Sequence, residues 1–517
     1  MMKRDGDNKS LWQDKLPEYK PKKFEPGNTI YDVIIVGGGI TGITTAYELQ
    51  KRGLQCLVVE AHNLCFGTTG GTTAHLNTFF DKTYAEVASD FGKIESEWLA
   101  MAARDAINLY KINIGSQHIE CEYRENDGFV FAQNKEQADE LEKMYSSSRE
   151  AGVNVKYVQE ISVDVPFLKA LCYPGQAQVH PVKYVYGLAK AFEEGGGRIL
   201  ENCFITTLNH GEILSIQNDA GILQARQLIY ATHIPPGVNL LHMRCAPYRS
   251  YVMAVELEDG QYPEGPAYDM EDPYHYYRTQ ETDGKKYLIA GGEDHKTGHE
   301  ENTELPFTRL ESYLRGIFEI KEIRFKWSSQ YFEPADGLAY IGQMPGSPEN
   351  IFVATGFGGN GMIYSHIAAK ILTEKIKKNP GPYDQLFSPA RIKPIAGFSS
   401  FVKENADVAA SLVTGRFSIP HLSDMEEMES DSGRVVKMDH ESAALYKDDS
   451  GSLFAVNPVC THLKCVVTWN QTEKSWDCPC HGARYAIDGT VLTGPSTRNL
   501  NKIEIPVNSL NITGTGI

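Results

Sequence analysis

The hydrophobic pattern near the N-terminus predicts a buried strand, a glycine turn and a helix. The apolar, β-branched run Ile30–Val36 predicts the strand, and "ITTAYELQKRG" predicts the helix. Between them, Gly37, Gly39 and Gly42 keep the spacing G-x-G-x-x-G. A second apolar run, "LQCLVVE", ends at Glu60, 18 residues after Gly42, where a carboxylate would bind ribose hydroxyls. Strand, turn, helix and acid in this order predict a dinucleotide-binding unit.

The glycines of this turn have separate physical roles in such a unit. Gly37 makes the tight turn, Gly39 lets the backbone approach a diphosphate, and Gly42 lets helix and strand pack closely. Ile40 and Thr41 open the helix, whose free N–H groups and dipole favour the negative charge of the diphosphate. The glycines alone leave NAD and FAD as alternatives.

A second stretch of the chain repeats the glycine spacing. In "IFVATGFGGNGMIYSHIAAKILTEKIKK", Gly356, Gly358 and Gly361 lie between a predicted strand and a predicted helix. Taken alone, this stretch would suggest a separate NAD domain. However, the helix runs to Lys378 and breaks at Pro380, and no further strand that ends in an acid follows. The pattern therefore favours a loop that belongs to the first nucleotide-binding unit.

Length and charge limit the classes of function. At 517 residues the chain is too long for one hydrophobic core, so two or three domains are expected. The net charge is −17 and the pI is about 5.4, which argues against binding to nucleic acid or to an anionic membrane. The N-terminal stretch is polar and has no apolar signal region, and no segment reads as a membrane span. We expect a cytoplasmic protein.

Four of the ten cysteines cluster near the C-terminus together with two histidines. Cys460 and His462 form a Cys-x-His pair, and Cys478 and His481 form a Cys-x-x-His pair 15 residues later. Two thiolates and two imidazoles from two loops suit a [2Fe–2S] cluster in which the cysteines hold one iron and the histidines the other. A structural zinc site is the chemical alternative, but it favours separate cysteine and histidine pairs with a helix carrying the histidines.

The first part of the chain resembles a known flavoenzyme family. The segments "GGGITG", "VVE", "GTTGGTTAH", "ADGLAYIG" and "TGFGGNGM" resemble those of the FAD-dependent D-amino-acid oxidase, glycine oxidase and sarcosine oxidase superfamily. The resemblance implies an α/β, Rossmann-like FAD-binding domain of the glycine-oxidase type, with an α+β substrate domain. It also implies further contacts to FAD from "GTTGGTTAH", from "FITTLN", from "QLIYATH" and from the late glycine loop. The residues so implied are Thr68, Thr69, Thr72, Thr73, Ile205, Thr232, Gly358, Gly359, Asn360, Gly361 and Met362.

One departure from that family concerns the substrate. Relatives that oxidise amino acids often carry an arginine just before the "DG" segment, where it holds the substrate carboxylate. Here the stretch reads "SSQYFEPADGLAYIG", and Tyr331 stands at that place. Arg249, Arg278 and Arg324 are the alternative cations. No catalytic residue is identified from the sequence, and the candidates for the pocket are Tyr251, His275, Tyr277 and Tyr331.

The last part of the chain resembles the Rieske family, specifically its cytochrome bc type. In that type two further cysteines join the ligand loops by a disulfide, and Cys465 and Cys480 stand at those positions. "GTVLTGPS" resembles the loop that covers the cluster, and Tyr485 matches the tyrosine that hydrogen-bonds a ligand sulfur. Ala483 replaces the serine that bonds a bridging sulfide in high-potential members, which implies a lower potential within the family span of roughly −150 to +300 mV.

These motifs predict an N-terminal extension, two cofactor regions and a linker. The predicted boundaries are 1–29 for the extension, 30–380 for the flavin region, 381–424 for a proline-containing linker, and 425–517 for a small all-β Rieske domain. Within the flavin region, the FAD-binding parts are about 30–95, 181–235 and 331–380, and the substrate parts are about 96–180 and 236–330.

Two cofactors on one chain suggest an electron-transfer function. A flavin accepts two electrons as a hydride and can release them singly, whereas a [2Fe–2S] cluster accepts one at a time. We expect an oxidoreductase in which a small organic donor, such as an amine or amino acid, reduces FAD. The electrons then pass through the cluster to an unidentified acceptor. The alternatives are an NAD(P)H-fed reductase that serves an oxygenase, and a non-enzymatic electron-transfer or redox-sensing protein.

Overall fold

Four β-sheets organise the chain in a computed structural model that describes residues 2–218, 221–392, 402–408, 410–411, 419–420, 428–438 and 441–504. Parts of the predicted linker and residues 505–517 of the predicted Rieske domain lie outside the described residues. Among the described residues, the α-helices that organise the fold are α1 (Ile40–Lys51), α2 (Tyr84–Asp90), α3 (Lys93–Gln117), α4 (Lys135–Glu150), α5 (Pro181–Glu194), α6 (Leu305–Arg315) and α7 (Gly361–Ile376).

The first sheet has eight strands and a parallel centre. Its strands are β1 (Ile30–Val36), β2 (Cys56–Val59), β7 (Arg198–Leu200), β8 (Ile205–Asn209), β9 (Leu214–Asn218), β10 (Gly221–Tyr230), β16 (Tyr340–Gln343) and β17 (Ile351–Thr355). The order is β16-β17-β10-β1-β2-β7, and β9 and β8 extend from β10. Val33, Ile34 and Ile35 are fully buried because a parallel sheet of this kind is covered on both faces.

The topology of this sheet brings the two glycine loops together. β1, β10 and β17 are neighbours and run parallel, so their carboxyl ends meet at one edge. The turn at Gly37, the segment at Thr232 and the loop at Gly356 follow these three ends. The late glycine loop therefore belongs to the first nucleotide-binding domain, and α7 packs against α1.

The second sheet has nine, mostly antiparallel strands and forms the predicted substrate part. Its strands are β3 (His75–Leu76), β4 (Arg124–Ala132), β5 (Lys156–Val158), β6 (Lys169–Gln178), β11 (Cys245–Leu257), β12 (Ala267–Tyr268), β13 (Tyr276–Thr282), β14 (Lys285–Lys296) and β15 (Ile320–Pro334). α4 packs on β4, and α6 packs on β14 and β11. α3, which lies within the predicted substrate segment, packs instead on α7, where the Tyr110 hydroxyl donates to the Met362 carbonyl (2.9 Å).

Two small antiparallel sheets build the C-terminal region. The first contains β18 (Ser432–Lys437), β19 (Ser442–Lys447) and β20 (Leu453–Val456), and the second contains β21 (Thr468–Asn470), β22 (Ser475–Asp477), β23 (Arg484–Ala486) and β24 (Val491–Thr493). The two predicted ligand loops connect these strands. Backbone bonds close each loop, from Cys460 N–H to the Cys465 carbonyl and from Cys478 N–H to the Ala483 carbonyl, both 2.8 Å. None of the described helices combines the length and apolar character needed to cross a lipid bilayer.

Candidate functional site

A cavity of about 650 Å³ opens at the carboxyl edge of the parallel sheet, where ligands bind in folds of this kind. Most of the residues predicted to bind FAD line it. They are Gly37, Gly39, Ile40, Thr41, Glu60, Thr68, Thr69, Thr72, Thr73, Ile205, Thr232, Gly358, Gly359, Asn360, Gly361 and Met362. Gly42 and Gly356 are not among the lining residues.

The glycine turn is a close-packed cradle that other residues would fill. Gly37 has φ of +112°, in the region that favours glycine. A Cβ on Gly42 would lie 1.9 Å from the Gly37 carbonyl oxygen, so the close approach of helix and strand requires glycine. Thr69 Oγ1 accepts from the Ile40 N–H (3.1 Å) and fixes the threonine segment against the helix start. This geometry fits the diphosphate of a dinucleotide at the N-terminus of α1.

The carboxylate of Glu60 lies beside this cradle. It accepts hydrogen bonds from the N–H groups of Gly38 (2.6 Å) and His62 (2.9 Å). Burial raises the pKa of Glu60, and the two N–H donors oppose that rise. An acid at the end of β2 fits a bound ribose.

The structure adds His233, which the sequence reasoning missed. Its φ is +69°, its ring lines the cavity, and its Nδ1 lies 3.1 Å from Thr68 Oγ1. His233 directly follows Thr232 in "QLIYATH". Its position at the end of a predicted strand next to the cofactor could have indicated it as a site residue.

Tyrosines and carboxylates line the cavity at the second sheet. Tyr268, Tyr274, Tyr276 and Tyr331 all face it, and we call this set the tyrosine wall. The Tyr331 hydroxyl donates to Asp294 Oδ2 (2.9 Å). Burial raises the pKa of Asp294 to about 6, while the nearby hydroxyl groups of Ser250 and Tyr331 oppose the rise. The carboxyl group is therefore ionised above that pH.

Asp81 is a second carboxylate in this part of the cavity. Its Oδ2 accepts from the N–H of Gly359 (2.9 Å), and its own N–H donates to Asn360 Oδ1 (3.1 Å). These bonds connect Asp81 to the late glycine loop.

Three of the four predicted pocket residues lie elsewhere, which corrects their assignment. Tyr251 bonds His295 Nε2 (2.9 Å), and the Tyr277 hydroxyl donates to Tyr313 (2.8 Å). His275 bonds Asp269 Oδ2 (2.9 Å). Successive residues of a strand point to opposite faces, so the neighbours of these residues, Ser250, Tyr274 and Tyr276, face the cavity instead.

The alternative arginines also lie outside the cavity wall. Arg249 is buried and donates to Ser328 Oγ (2.7 Å), and Arg278 donates to the Ala74 carbonyl (2.9 Å). Arg324 pairs with Glu322 (2.7 Å) on the surface. None of the three is placed to hold a substrate carboxylate in this cavity.

The predicted iron ligands converge in two facing loops. The imidazoles of His462 and His481 have ring centroids 5.0 Å apart, and both Nδ1 atoms are buried with no hydrogen-bond partner among the described residues. The thiols of Cys460 and Cys478 are buried and outside any disulfide. The Tyr485 hydroxyl lies 3.1 Å from Cys460 Sγ. Two free thiols and two unpartnered imidazole nitrogens fit a [2Fe–2S] cluster.

The predicted disulfide joins the same two loops. Cys465 and Cys480 are bonded, with their Cα atoms 6.5 Å apart. The sulfurs of Cys465, Cys478 and Cys480 lie within 4.8 Å of one another, but only Cys478 of these three is a thiol that can bind iron.

His242 connects the cavity wall to the cluster ligands. It is buried in the short turn Leu240–Met243, and its Nε2 lies 2.8 Å from the Pro235 carbonyl oxygen. Its Nδ1 lies 3.1 Å from His462 Nε2. Since Nε2 donates its proton to Pro235, Nδ1 is left to accept the proton of His462. The flanking residues Ile234 and Pro236 line the cavity, so two hydrogen bonds connect that wall to a predicted iron ligand.

A buried ion network fixes the C-terminal region against the rest of the molecule. Three arginines and three carboxylates take part, all nearly excluded from solvent: Arg4, Asp5, Arg249, Glu473, Asp477 and Arg484. The N-terminal segment supplies the first two and the second sheet supplies Arg249. The predicted extension is therefore part of the domain contact.

Ala483 gives a test of the cluster environment. It is fully buried between the ligand loop and β23. We expect Ala483→Ser to raise the midpoint potential towards the upper half of the family span of roughly −150 to +300 mV, because a hydroxyl donor to the cluster stabilises its reduced state. Protein-film voltammetry measures the shift. An unchanged or lower potential in a fully loaded variant would contradict the expectation.

Comparison with known proteins agrees with both cofactor regions. The FAD dependent oxidoreductase family (DAO) matches residues 32–375, and the Rieske [2Fe-2S] domain family matches residues 418–504. The Rieske 2Fe-2S iron-sulfur protein YhfW of Bacillus subtilis is 32% identical over 481 residues, which cover 92% of this chain and 94% of the relative. Gamma-glutamylputrescine oxidoreductase of Escherichia coli is 22% identical over 386 residues, covering 70% of this chain and 88% of that protein.

A solved structure shows the same fold for the flavin region. Glycine oxidase from Geobacillus kaustophilus superposes with a TM-score of 0.59 at 19% identity, and the match covers 70% of this chain and 99% of that one. The cavity fits FAD and the C-terminal loops fit an iron–sulfur cluster. The chain therefore belongs to the FAD dependent oxidoreductase family and carries a C-terminal Rieske [2Fe-2S] domain, with FAD and one [2Fe–2S] cluster as its cofactors.

Proposed function

We propose that this oxidoreductase takes a hydride from a small organic donor and passes the electrons singly through its own Rieske cluster to an external one-electron acceptor. A bound FAD accepts two electrons and can release them one at a time, which matches the one-electron capacity of the cluster. The protein contributes the binding site of the donor and the fixed position of the two cofactor sites.

The observation that carries this proposal is the short connection through His242. The carbonyl of Pro235, which lies between two residues of the cavity wall, and the predicted cluster ligand His462 are both hydrogen-bonded to this one buried imidazole. A second connection runs from Gln330 in the cavity wall, whose Nε2 donates to the Gly482 carbonyl (2.9 Å), next to His481. Gly237 N–H also donates to the Pro495 carbonyl (3.0 Å). These contacts support electron transfer within one molecule.

The reductase alternative has less support. It requires a separate site for NAD(P)H, and the late glycine loop is the segment that could supply one. That loop instead follows β17, which pairs with β10 in the same sheet as β1. Both glycine loops therefore line a single cavity.

An anaerobic absorbance titration tests the proposed function. NADH, NADPH and a panel of amines, amino acids and hydroxy acids are added in turn to the pure holoprotein. We expect an organic donor to bleach the flavin first and the cluster afterwards. Reduction by NAD(P)H alone would contradict the proposal and favour the reductase.

His242 gives a test of the connection itself. We expect His242→Leu to raise the midpoint potential of the cluster, because the hydrogen bond from His462 is stronger when the cluster is oxidised. A bond worth about 1 kcal/mol corresponds to a shift of up to about 40 mV for one electron. Voltammetry measures the shift, and His210→Leu, at an exposed histidine, is the matched control. Equal potentials in both variants and the wild type would show that His242 does not act on the cluster.

A further inference from the structure

Two buried acceptor oxygens beside the tyrosine wall have no hydrogen-bond partner among the described residues. Asp294 Oδ1 is buried, and no hydrogen-bond partner for it lies among the described residues. Asn77 lines the same cavity and is only 6% exposed, and its Oδ1 is likewise without a partner in the described structure. The amide nitrogen of Asn77 already donates to the Tyr268 hydroxyl (2.7 Å), which fixes the amide orientation so that the oxygen remains free. Buried acceptors of this kind require a donor, and a ligand in the cavity can supply it.

The cavity wall carries no cation that could bind a carboxylate. Among the described residues, none of those that line it is lysine or arginine. His75 also lines the cavity, but burial and the charge of Arg278 hold its pKa well below the usual range, so its ring is neutral. A carboxylate placed beside Asp294 and Asp81 would meet negative charge and no counter-ion.

We propose that this part of the cavity binds the donor as a cationic amine, through the ammonium group at Asp294 and Asn77, and that it requires no carboxylate on the donor. The inference rests on the proposed function and deepens it by naming the substrate class. The ammonium N–H groups satisfy Asp294 Oδ1 and Asn77 Oδ1. The faces of the tyrosine wall stabilise the same positive charge, as aromatic faces do for ammonium ligands.

The arrangement around Asp294 holds its carboxylate in place for this role. The Tyr331 hydroxyl donates to Oδ2 and leaves Oδ1 for the ligand. Ser250 Oγ on β11 and the Tyr276 hydroxyl on β13 lie 3.2 Å apart across β14, which pairs with both strands. In amino-acid-oxidising relatives, the sequence resemblance places a carboxylate-binding arginine at the position of Tyr331. In this chain the same position supports a carboxylate of the protein, so the site has the opposite charge preference.

Binding can be measured separately from oxidation with ligands that have no hydrogen on the carbon next to the functional group. tert-Butylammonium, tert-butanol and pivalate share one apolar group and differ in charge. Each is titrated into the wild-type holoprotein at pH 8 by calorimetry and by perturbation of the flavin absorbance. We expect tert-butylammonium to bind and to perturb the flavin spectrum, and we expect pivalate and tert-butanol to bind at least about tenfold more weakly. This comparison needs no variant.

The variant Asp294→Asn then tests whether Asp294 binds the ammonium group. We expect the affinity for tert-butylammonium to fall about 10- to 100-fold, the loss expected for a hydrogen bond to a charged group. The affinity for tert-butanol should stay within about twofold. Asp139→Asn, which removes one charge at an exposed position of α4 that does not line the cavity, is the matched control and should bind like the wild type. FAD content and the melting temperature show whether each variant is folded.

The outcomes separate this inference from the proposed function. Binding of tert-butylammonium without reduction of the cluster by any amine would keep the amine site and overturn the proposed electron route. Reduction of the flavin by amino acids or hydroxy acids, with tighter binding of pivalate than of tert-butylammonium, would overturn the amine site and keep the electron route. Equal binding of all three ligands, or an unchanged affinity in Asp294→Asn, would also overturn the amine site.

Discussion

Cys478→Ser is expected to remove the [2Fe–2S] cluster and leave FAD bound. Cys478 is one of two buried free thiols in the predicted ligand loops. The neighbouring Cys465 and Cys480 form a disulfide, so neither sulfur can replace the Cys478 thiolate as a ligand. Even substitutions of residues that only support metal ligands cost about 10- to 100-fold in metal affinity, so the loss of a ligand should cost more. Iron analysis and electron paramagnetic resonance measure the cluster, and absorbance measures the flavin.

The same variant separates the two halves of the proposed reaction. We expect the organic donor to reduce the flavin of Cys478→Ser at the wild-type rate, because Cys478 is not among the residues that line the cavity. Electron delivery to a one-electron acceptor should fall to the background. Cys172→Ser, at a buried thiol on β6, is the control and should keep both activities. Full electron delivery by a variant without iron would show that the cluster is not on the route.

Arg484→Met is expected to lower the free energy of unfolding by about 3–5 kcal/mol, the usual effect of removing one partner from a buried ion pair. Arg484 is fully buried and donates to Asp5 Oδ2 (2.9 Å), Asp477 Oδ1 (3.1 Å) and Ser475 Oγ (3.0 Å). Its loss leaves two buried carboxylates without their main counter-ion. Urea denaturation followed by tryptophan fluorescence measures the change. Arg434→Met, at an exposed arginine on β18, should change the free energy by less than about 0.5 kcal/mol.

The same network predicts the response to acid. Burial raises the pKa values of Asp5 and Asp477, but the charges of Arg484 and the neighbouring arginines outweigh it, and both pKa values are lowered. A carboxylate whose pKa is lowered by folding stabilises the folded state above the unfolded pKa of about 4, and this contribution is lost as the pH falls through the folded pKa. We expect the domain contact to be intact at pH 5 and to weaken below about pH 4. Equal urea midpoints at pH 5 and pH 3 would contradict this.

The elements that could be predicted from the sequence are those whose signals are local. The strand, glycine turn and helix around Gly37 depend on adjacent residues, and so do the two ligand loops. The residues that line the cavity at the second sheet depend instead on which face of its strand each side chain occupies. Between Arg249 and Tyr251 the pairing of β11 with β14 shifts by an irregularity, and Ser250 faces the cavity while Tyr251 packs in the core. A shift of one residue reverses the face of every following side chain, and no local pattern indicates it.

Contacts between segments that are distant in sequence could not be predicted from the sequence either. His242 lies in a turn without a recognisable motif, and His462 is 220 residues further along the chain. The polar N-terminal segment gave no sign that Arg4 and Asp5 would be buried against the Rieske domain. Charge complementarity of this kind appears only when the tertiary fold places the partners together.

Electron transfer from the flavin to the cluster within one molecule can be tested by anaerobic rapid mixing of the oxidised holoprotein with its organic donor. Flavin absorbance and the electron paramagnetic resonance of freeze-quenched samples follow the two cofactors. We expect cluster reduction to follow flavin reduction with a first-order rate that does not depend on protein concentration, as expected for cofactors held on one chain. A cluster that stays oxidised beside a reduced flavin, or a rate that rises in proportion to protein concentration, would contradict it.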